Sequence, residues 1–349
     1  MSRKVTRRDF AAGLIAVMAL PRVAFPQAAR ETRRFGVFSL FAPQRLLLES
    51  THPLLLHLDR QLVLIAPEAS ATAIQFAGDG GFQIMANRMT YFASSVRVTS
   101  DAGEAIPFVI SVPQSSLHGA IRRQFIGTLE VQRTGVALQP VIAMDIESAT
   151  ASIVQAESPV HAVTAYLLTQ AIVSRSFLLA ATTNHRGFDF CDTTHCQFLR
   201  ELPSPDSPAA VATRETEGQR LVYSGETLAA MYSRSCGGHT RTLADLGLPV
   251  SGYPYYAVEC EPCVHNPERW NRAAGPQSHS TERDRLANNR IHGWSALPSS
   301  VFTRTADGIA GLGVGHGLGL CQRGAASMAA DGWEHRQILS HYYPNTVTS

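Results

Sequence analysis

The chain has 349 residues, of which 45% are apolar and 17% are charged, and its formal net charge is +2. This length can hold two average domains or one large one, and the apolar content is sufficient for a packed core. Lys4 is the only lysine among 30 basic residues, which excludes P-loop, Schiff-base lysine and Ser-x-x-Lys chemistry.

The N-terminus has the features of an export signal. A basic segment with Arg7 and Arg8 precedes the apolar run Ala11 to Leu20, and small residues follow near Ala28. The run has ten residues, whereas a spanning helix needs about twenty, so a signal is favoured over a membrane anchor. The sequence TRRDF resembles the twin-arginine type. We therefore predict a signal over residues 1–29 and an exported protein of the periplasm or cell envelope.

The basic charge of the chain belongs mainly to this signal. Its removal takes away five basic residues and one acidic residue, and the net charge changes from +2 to −2. The remaining chain has no electrostatic footprint for nucleic acid, so nucleic acid is not an expected partner.

Residues 30–140 are predicted to be rich in β-strands. Segments such as RQLVLIA, IPFVISV and RRQFIGTLEVQR alternate or run apolar, with Gly, Asp, Asn and Pro between them. No set of catalytic residues stands out there, so we interpret the region as a scaffold or binding part. Residues 141–349 carry the motifs described next and are predicted to combine helices and strands, which makes the whole chain a mixed α+β protein.

One long helix is predicted over Pro159–Ala181. Ser158 is a suitable N-cap, proline loses nothing at the first helical position, and apolar residues recur at helical spacing from Val160 to Phe177. In this prediction Glu157 lies just before the helix N-terminus, where a carboxylate complements the helix dipole.

Arg175 lies on the same predicted helix. It follows Glu157 by 18 residues, which is about 27 Å along a continuous helix. A direct pair between the two side chains is therefore not expected, and a substrate-binding or structural role suits Arg175 better than a catalytic one.

Two histidines and two cysteines fall within twelve residues, at His185, Cys191, His195 and Cys196. This ligand set suits tetrahedral zinc, although the adjacent His-Cys pair differs from the common Cys-x2-Cys spacing. A Cys191–Cys196 disulfide is the alternative in an oxidising compartment. Export in the folded state would allow metal loading first, which favours zinc, and four protein ligands would make the site closed and structural.

Four cysteines remain, at Cys236, Cys260, Cys263 and Cys321. The Cys-x2-Cys pair could be a redox pair, half of a metal site or a small disulfide, and no thioredoxin-like context supports the redox interpretation. Disulfides of undetermined connectivity are the expectation. A cysteine hydrolase that uses Cys321 with His316 is a further alternative.

Two motifs are dense in glycine, SRSCGGHT at Ser233–Thr240 and LGVGHGLGLCQRGA at Leu312–Ala325. Five glycines in fourteen residues are unfavourable for a helix or an ordinary strand, because each costs backbone entropy. Such runs occur where the backbone turns tightly or lies close to a ligand. His316, Gln322 and Arg323 are polar side chains that could face such a ligand.

Together these motifs resemble the stage II sporulation protein D family of cell-wall glycan lyases, which is related to amidase-enhancer domains. QAESP followed by LLTQAIVSRSF is similar to the family's pattern of a Glu, a Pro two residues on, and a helix with an arginine near its end. RRQFIGTLEV and the ending ILSHYYPNT are also similar, so the resemblance spans about Arg122 to Thr346. Ser158 stands where the family usually has Met, and many relatives have Ser at the position of Cys321, which disfavours an obligatory thiol.

The resemblance implies that residues 141–349 form a catalytic and glycan-binding region, with a glycan groove between it and the β-rich part. Glu157 falls on the position of the family's catalytic acid, and some members hold zinc with a cluster similar to the one at His185–Cys196. Hydrogen bonding within the loops is the alternative for each groove residue. The residues that the resemblance places in the groove are Tyr232, Ser235, His239, Thr240, His316 and Gln322. Arg175 falls on the family's helix arginine and is a further candidate for substrate binding.

One carboxyl group suffices for the reaction that the resemblance implies. Ordinary glycoside hydrolases use two, whereas a lytic transglycosylase can use a single group to protonate the glycosidic oxygen and then to take the proton of the sugar's C6 hydroxyl. Glu157 must then start protonated, which needs a raised pKa, while a helix N-terminus would lower it.

The leading hypothesis is therefore an exported lytic transglycosylase acting on peptidoglycan glycan strands stripped of stem peptides, with structural zinc. A non-catalytic glycan-binding module that enhances a partner cell-wall amidase is the alternative from another class. A zinc hydrolase is disfavoured by the apparent four-ligand set.

Overall fold

The β-rich region forms one large and mostly antiparallel sheet. The computed structural model describes residues 31–349 except 68–70, 79, 103, 115–118, 184, 251, 274–281 and 293–295, so the signal predicted for residues 1–29 lies outside the described residues. The strands of this region are β1 Thr32–Gly36, β2 Arg45–Glu49, β3 Leu54–Leu58, β4 Gln61–Ile65, β5 Thr72–Phe76, β6 Phe82–Ala86, β7 Met89–Ala93, β8 Val96–Ser100, β9 Ile106–Val112, β10 Ile121–Thr134 and β11 Ala137–Asp145.

A further strand, β12 (Phe190–Cys191), pairs with β1 and completes a twelve-stranded sheet. The main path runs β12-β1-β11-β10-β9-β2-β5-β6-β7, with β8 beside β10 and β3 between β8 and β4. The long strand β10 pairs with β9 up to Gly127 and with β8 from Leu129. At Gly127 φ is +135°, and a Cβ would lie 2.1 Å from the carbonyl oxygen of Ala143, so glycine is required where the strand changes partners.

The rest of the chain mixes helices with short strands, which confirms the expected mixed fold. Among the described residues no helix is long and apolar enough to cross a membrane. The helices are α1 Ile146–Glu157, α2 Thr164–Ala180, α3 Pro208–Glu215, α4 Glu261–His265, α5 Glu282–His292, α6 Gln322–Ala330 and α7 His335–Tyr342, with 3₁₀ turns at Ser39–Phe41 and Ala244–Leu246. The remaining strands are β13 Leu221–Tyr223, β14 Glu226–Thr227, β15 Tyr232–Ser233, β16 Arg269–Ala273, β17 Phe302–Thr305, β18 Gly308–Leu312, β19 Leu320–Cys321 and β20 Val347–Thr348.

The single helix predicted over Pro159–Ala181 is wrong at its start. Pro159 follows the end of α1 and does not begin α2, because the residue before a proline is driven out of the helical region, and Ser158 is extended with ψ 147°. A short turn then leads to Thr164, and Val160 is 93% exposed instead of lying on the buried stripe. The helix α1 is N-capped by Asp145, whose carboxylate accepts the N–H of Ser148.

The helix α2 lies between two apolar cores. Its C-terminal residues Phe177 and Leu178 belong to the core beneath the sheet. Tyr166 and Ile172, nearer its N-terminus, belong to a second core that also contains Cys321 and residues of α6 and α7. Side chains all around α2 are buried, as is typical of a helix in the interior of a protein.

Candidate functional site

Glu157 is the last residue of α1. The expectation that it precedes a helix N-terminus is therefore wrong, and the sign of the dipole effect reverses with it. The C-terminal end of a helix is the negative end of its dipole, so it disfavours a carboxylate there and favours the protonated form.

Three groups from distant parts of the chain donate hydrogen bonds to the Glu157 carboxyl group. The Oε1 atom accepts the backbone N–H of Phe198 at 2.9 Å and lies 3.3 Å from the Tyr232 hydroxyl. The Oε2 atom accepts from Nε2 of Gln322 at 3.2 Å. Tyr232 lies on β15 and Gln322 begins α6, and these come together because β15 pairs in parallel with β19, which places Tyr232 opposite Leu320.

Burial raises the pKa of Glu157, and this is the largest influence on it. The hydrogen bonds from Phe198, Gln322 and Tyr232 and the positive charge of Arg200 act in the opposite direction but do not outweigh it. The group is thus held toward its neutral form, while donors that stabilise the carboxylate are already in place. A carboxyl group of this kind is suited to giving up a proton and taking one back.

A buried polar network lies behind these contacts. The Tyr232 hydroxyl is 3.0 Å from Oε1 of Gln197, and Nε2 of Gln197 donates to the carbonyl of Ser174 at 3.2 Å. Gln322 also lies 3.4 Å from Oε1 of Gln170. Gln170 and Gln197 are almost fully buried. Their hydrogen bonds therefore fix the orientation of Gln322 and Tyr232, respectively.

Four further residues act on Glu157 directly or through its partners, and no sequence motif indicates them: Gln170, Gln197, Phe198 and Arg200. Arg200 packs its guanidinium over the Phe198 ring at 3.3 Å and donates to the carbonyl of Asp192 at 2.7 Å. The sequence signal that could have found two of these residues is position, because Gln197 and Phe198 directly follow Cys196 of the predicted metal site.

The first group of metal-ligand residues, His185, Cys191, His195 and Cys196, comes together as a compact set, the His/Cys cluster. All four ligand atoms lie within 4.8 Å of one another. Cys196 Sγ is 3.1 Å from His185 Nε2 and 3.4 Å from His195 Nδ1, and Cys191 Sγ is 3.8 Å from His195 Nδ1. Around zinc, bonds of about 2.3 Å to sulfur and about 2.0 Å to nitrogen give a sulfur–nitrogen edge of about 3.5 Å, so this cluster could bind one tetrahedral metal ion.

Both cysteines of this cluster are free thiols, so the alternative Cys191–Cys196 disulfide is not formed. The remaining cysteines, Cys236, Cys260, Cys263 and Cys321, are free as well, and the disulfides expected for them are wrong. Their four sulfur atoms also lie within 4.8 Å of one another and could bind a metal ion. We call this group the four-cysteine cluster.

Arg175 does not reach the acid. Its guanidinium makes a paired contact with Glu147, from Nε to Oε1 at 2.8 Å and from Nη2 to Oε2 at 2.6 Å, and it also donates to the carbonyls of Thr213 and Gln219. Its side chain is 1% exposed. This geometry favours the structural alternative, a clamp between α1, α2 and α3, over the expected contact with substrate.

The predicted groove residues of the first glycine-rich motif differ in exposure. Ser235 and Thr240 are buried, and the Thr240 hydroxyl donates to the carbonyl of Tyr256 and accepts the N–H of Val258, which favours their loop-bonding alternative. His239 is exposed, with Nε2 3.5 Å from the Glu259 carboxylate. Of the predicted groove residues, Tyr232 and Gln322 are the two that contact Glu157.

His316 is half-buried, and its Nδ1 accepts the N–H of Leu318 at 3.0 Å. Burial lowers its pKa to about 4, so the ring is neutral at pH 7 and carries its proton on Nε2. It belongs to neither metal-ligand cluster and interacts with the backbone of Tyr232.

Comparison with known families agrees with the motifs. The model of the stage II sporulation protein family matches residues 134–223, a segment that includes Glu157, α2 and the His/Cys cluster. The chain therefore contains a stage II sporulation protein domain, and the family expected from the motifs is confirmed. This domain points to a role connected with the cell wall.

The chain is also similar to an uncharacterized protein of Brachyspira hyodysenteriae. The two are 27% identical over 220 residues, which cover 51% of this chain and 59% of that protein. The match thus spans little more than half the length of this relative.

Proposed function

We propose that the protein is a peptidoglycan lytic transglycosylase with Glu157 as its general acid and base. The observation that carries the proposal is the environment of this one carboxyl group. Its pKa is raised by burial, and the groups that contact it are a backbone N–H, a phenol and a carboxamide. Hydrolases use a second carboxyl group about 5 to 9.5 Å from the first, which is beyond hydrogen-bond contact, so the product that is formed distinguishes the two reactions.

The two steps of the reaction depend on the raised pKa of Glu157 and on the three groups that donate hydrogen bonds to it. In the first half, Glu157 gives its proton to the glycosidic oxygen as the bond from that oxygen to the sugar's C1 breaks. In the second half, the C6 hydroxyl oxygen of the same sugar bonds to C1, and its proton returns to Glu157. The product is a 1,6-anhydro end and no water is consumed. The raised pKa favours the first step, and the three donors stabilise the carboxylate that exists between the steps.

The network behind Glu157 supplies orientation. Gln197 accepts from the Tyr232 hydroxyl at a shorter distance than Glu157 does, 3.0 Å against 3.3 Å. The single phenol proton can therefore donate to Glu157 when that group is a carboxylate. When Glu157 is protonated, the Tyr232 oxygen can accept the hydrogen bond of the carboxyl group while its own O–H donates to Gln197. The arrangement accommodates both protonation states without moving a side chain.

We further propose that the His/Cys cluster binds zinc and has a structural role. Four protein ligands leave no open position for substrate or water. Cys196 is followed at once by Gln197 and Phe198, which contact Tyr232 and Glu157. The metal would thus fix the loop that supports the acid. Export through the predicted signal, a location in the periplasm or cell envelope, and peptide-stripped glycan as substrate complete the proposal.

Mass analysis of purified glycan strands after incubation tests the function. A 1,6-anhydro end that is absent with Glu157→Gln supports the proposal. A reducing end would instead indicate a hydrolase. Unchanged strands that nevertheless bind the protein, together with stimulation of a cell-wall amidase, would support the glycan-binding module in its place.

A further inference from the structure

The four-cysteine cluster is buried and is assembled from three separate segments. Cys236 lies in the first glycine-rich motif, Cys260 and Cys263 lie at the start of α4, and Cys321 ends β19 and caps α6. Each of these side chains is at most 4% exposed. Because Cys236 and Cys321 are 85 positions apart, only the tertiary fold brings the thiols together.

The spacing of the sulfur atoms suits a single metal ion. All four lie within 4.8 Å of one another, and Cys263 Sγ is 3.6 Å from Cys321 Sγ. A disulfide would need about 2.05 Å, whereas a tetrahedron of sulfurs around zinc, with bonds of about 2.3 Å, has edges of about 3.8 Å. An iron–sulfur cubane would place its inorganic core between the thiolates and hold them further apart.

Hydrogen-bond donors point at these sulfurs, as they do around metal-bound thiolates. The backbone N–H groups of Cys236 and Gly324 each lie 3.4 Å from Cys321 Sγ. The Tyr342 hydroxyl is 3.2 Å from Cys260 Sγ. Cys321 also occupies the N-terminus of α6, where the helix dipole favours a thiolate.

Two glycines of the second glycine-rich motif allow the backbone to close around this cluster. A Cβ on Gly324 would lie 2.4 Å from Cys260 Sγ and 2.1 Å from the Tyr342 hydroxyl. A Cβ on Gly313, where φ is +75°, would lie 2.6 Å from the carbonyl oxygen of Ser235. Close approach to a sulfur atom thus accounts for Gly324, and close approach to the backbone of the first motif accounts for Gly313.

We propose that Cys236, Cys260, Cys263 and Cys321 bind one zinc ion in a second, structural site. The ion ties the two glycine-rich motifs to α4 and to the start of α6. Gln322, the next residue after Cys321, donates to Oε2 of Glu157, so this site holds the position of one of the acid's three partners. The ion takes no part in proton transfer, since four thiolates complete its coordination.

The wild-type protein provides the decisive test, because it requires no substitution to fold. Full-length protein purified without added metal is expected to hold two zinc ions per chain by elemental analysis. The two clusters together offer six cysteines and two histidines, so zinc X-ray absorption should show on average three sulfurs and one nitrogen per zinc. One zinc per chain with two sulfurs and two nitrogens would overturn the proposal, as would iron in the second site.

Matched cysteine variants then assign the two ions. Cys191→Ser should keep one zinc, with sulfur ligands alone, and Cys263→Ser should keep one zinc with a mixed shell. Cobalt substituted into Cys191→Ser should give strong thiolate-to-cobalt charge-transfer absorption. Loss of all metal from folded Cys191→Ser, or disulfides among the four cysteines in peptide maps of the unreduced wild type, would exclude the second site.

Discussion

Each of the two clusters of candidate metal ligands is followed along the chain by a residue that contacts Glu157, and the clusters differ in how far apart their members lie in the sequence. The His/Cys cluster is local, since His185 and Cys196 are 11 positions apart, whereas Cys236 and Cys321 are separated by 85. In each cluster the last cysteine is followed, within two residues, by one that donates a hydrogen bond to Glu157. Phe198, two residues after Cys196, donates to Oε1, and Gln322, next to Cys321, donates to Oε2.

This difference shows that clusters of similar ligands can stabilise a fold in two ways. A local cluster shapes a single loop and can be read from the spacing of its residues. A dispersed cluster joins elements that would otherwise meet through packing alone, and it closes a much longer loop. Both act on the same carboxyl group, so the protonation of Glu157 depends on loops from both.

The largest effect is expected from a change of Glu157, which residues following both clusters contact. Glu157→Gln keeps the shape of the side chain but cannot transfer a proton, so the rate of glycan cleavage should fall by about 10²- to 10⁴-fold, while glycan binding persists. Turnover of purified strands and a pull-down on insoluble glycan measure the two properties. Glu49→Gln, which alters an exposed glutamate on the sheet, is the matched control. Near wild-type turnover by Glu157→Gln would remove the acid from the mechanism.

Loss of the metal ion is expected to lower the free energy of unfolding by a different amount for each cluster. Each doubling of a closed loop costs about 0.6 kcal/mol of chain entropy, and a span of 85 residues against 11 is about three doublings. Loss of the ion from the four-cysteine cluster should therefore lower the free energy of unfolding by about 2 kcal/mol more than loss from the His/Cys cluster. Denaturant unfolding of Cys263→Ser and Cys191→Ser measures the difference. Equal losses would show that the two clusters contribute alike to stability.

Gln322→Ala tests the link from the dispersed cluster to the acid. A hydrogen bond to a charged group contributes about 1.5 to 3 kcal/mol, so turnover or glycan binding should fall by about one to two orders of magnitude. The melting temperature should change little, because Oε1 of Gln170 keeps the Tyr166 hydroxyl within 3.4 Å. Gln75→Ala, which removes a Gln–Gln bond on the distant sheet, is the control. A large fall in melting temperature with normal glycan binding would make Gln322 part of the scaffold.

The pH dependence of activity tests the effect of Arg200, which lies in the loop after the His/Cys cluster, on the pKa of Glu157. The positive charge of Arg200 lowers the pKa of Glu157, so Arg200→Gln should raise that pKa further. A general acid loses activity as pH rises through its pKa, and the falling limb of kcat/KM against pH should move upward in this variant. An unchanged or downward-shifted limb would contradict the assignment of that limb to Glu157.

The smallest effect expected concerns stability. Because the folded-state pKa of Glu157 is raised above its ordinary value of 4.5, protonation favours the fold, and this contribution is lost as pH rises through the raised pKa. Glu157→Gln should therefore be more stable than the wild type at pH 7, and the gap should close as pH falls toward 4.5. Thermal unfolding of both proteins across this range measures it, and a gap that widens on acidification would reverse the sign.

The sequence by itself determined the class of fold, the family and the residues of the local cluster. Alternating apolar segments suffice for a β-rich region, because side-chain direction in a strand follows from position alone. His185, Cys191, His195 and Cys196 are close in the chain, so their convergence needed no knowledge of the fold. The motif around Glu157 is what singled this residue out as the proposed acid.

Only the tertiary structure decided the environment of that acid. The chain leaves the helical conformation at Ser158, which places Glu157 at the C-terminus of α1 and moves the start of the expected helix from Pro159 to Thr164. Arg175, a candidate for substrate binding, instead pairs with Glu147 inside the protein. Phe198, Tyr232 and Gln322 all contact the Glu157 carboxyl group, although Gln322 is 165 positions away from it in the chain. Contacts at such separations depend on how the elements pack, and spacing along a sequence carries no information about that packing.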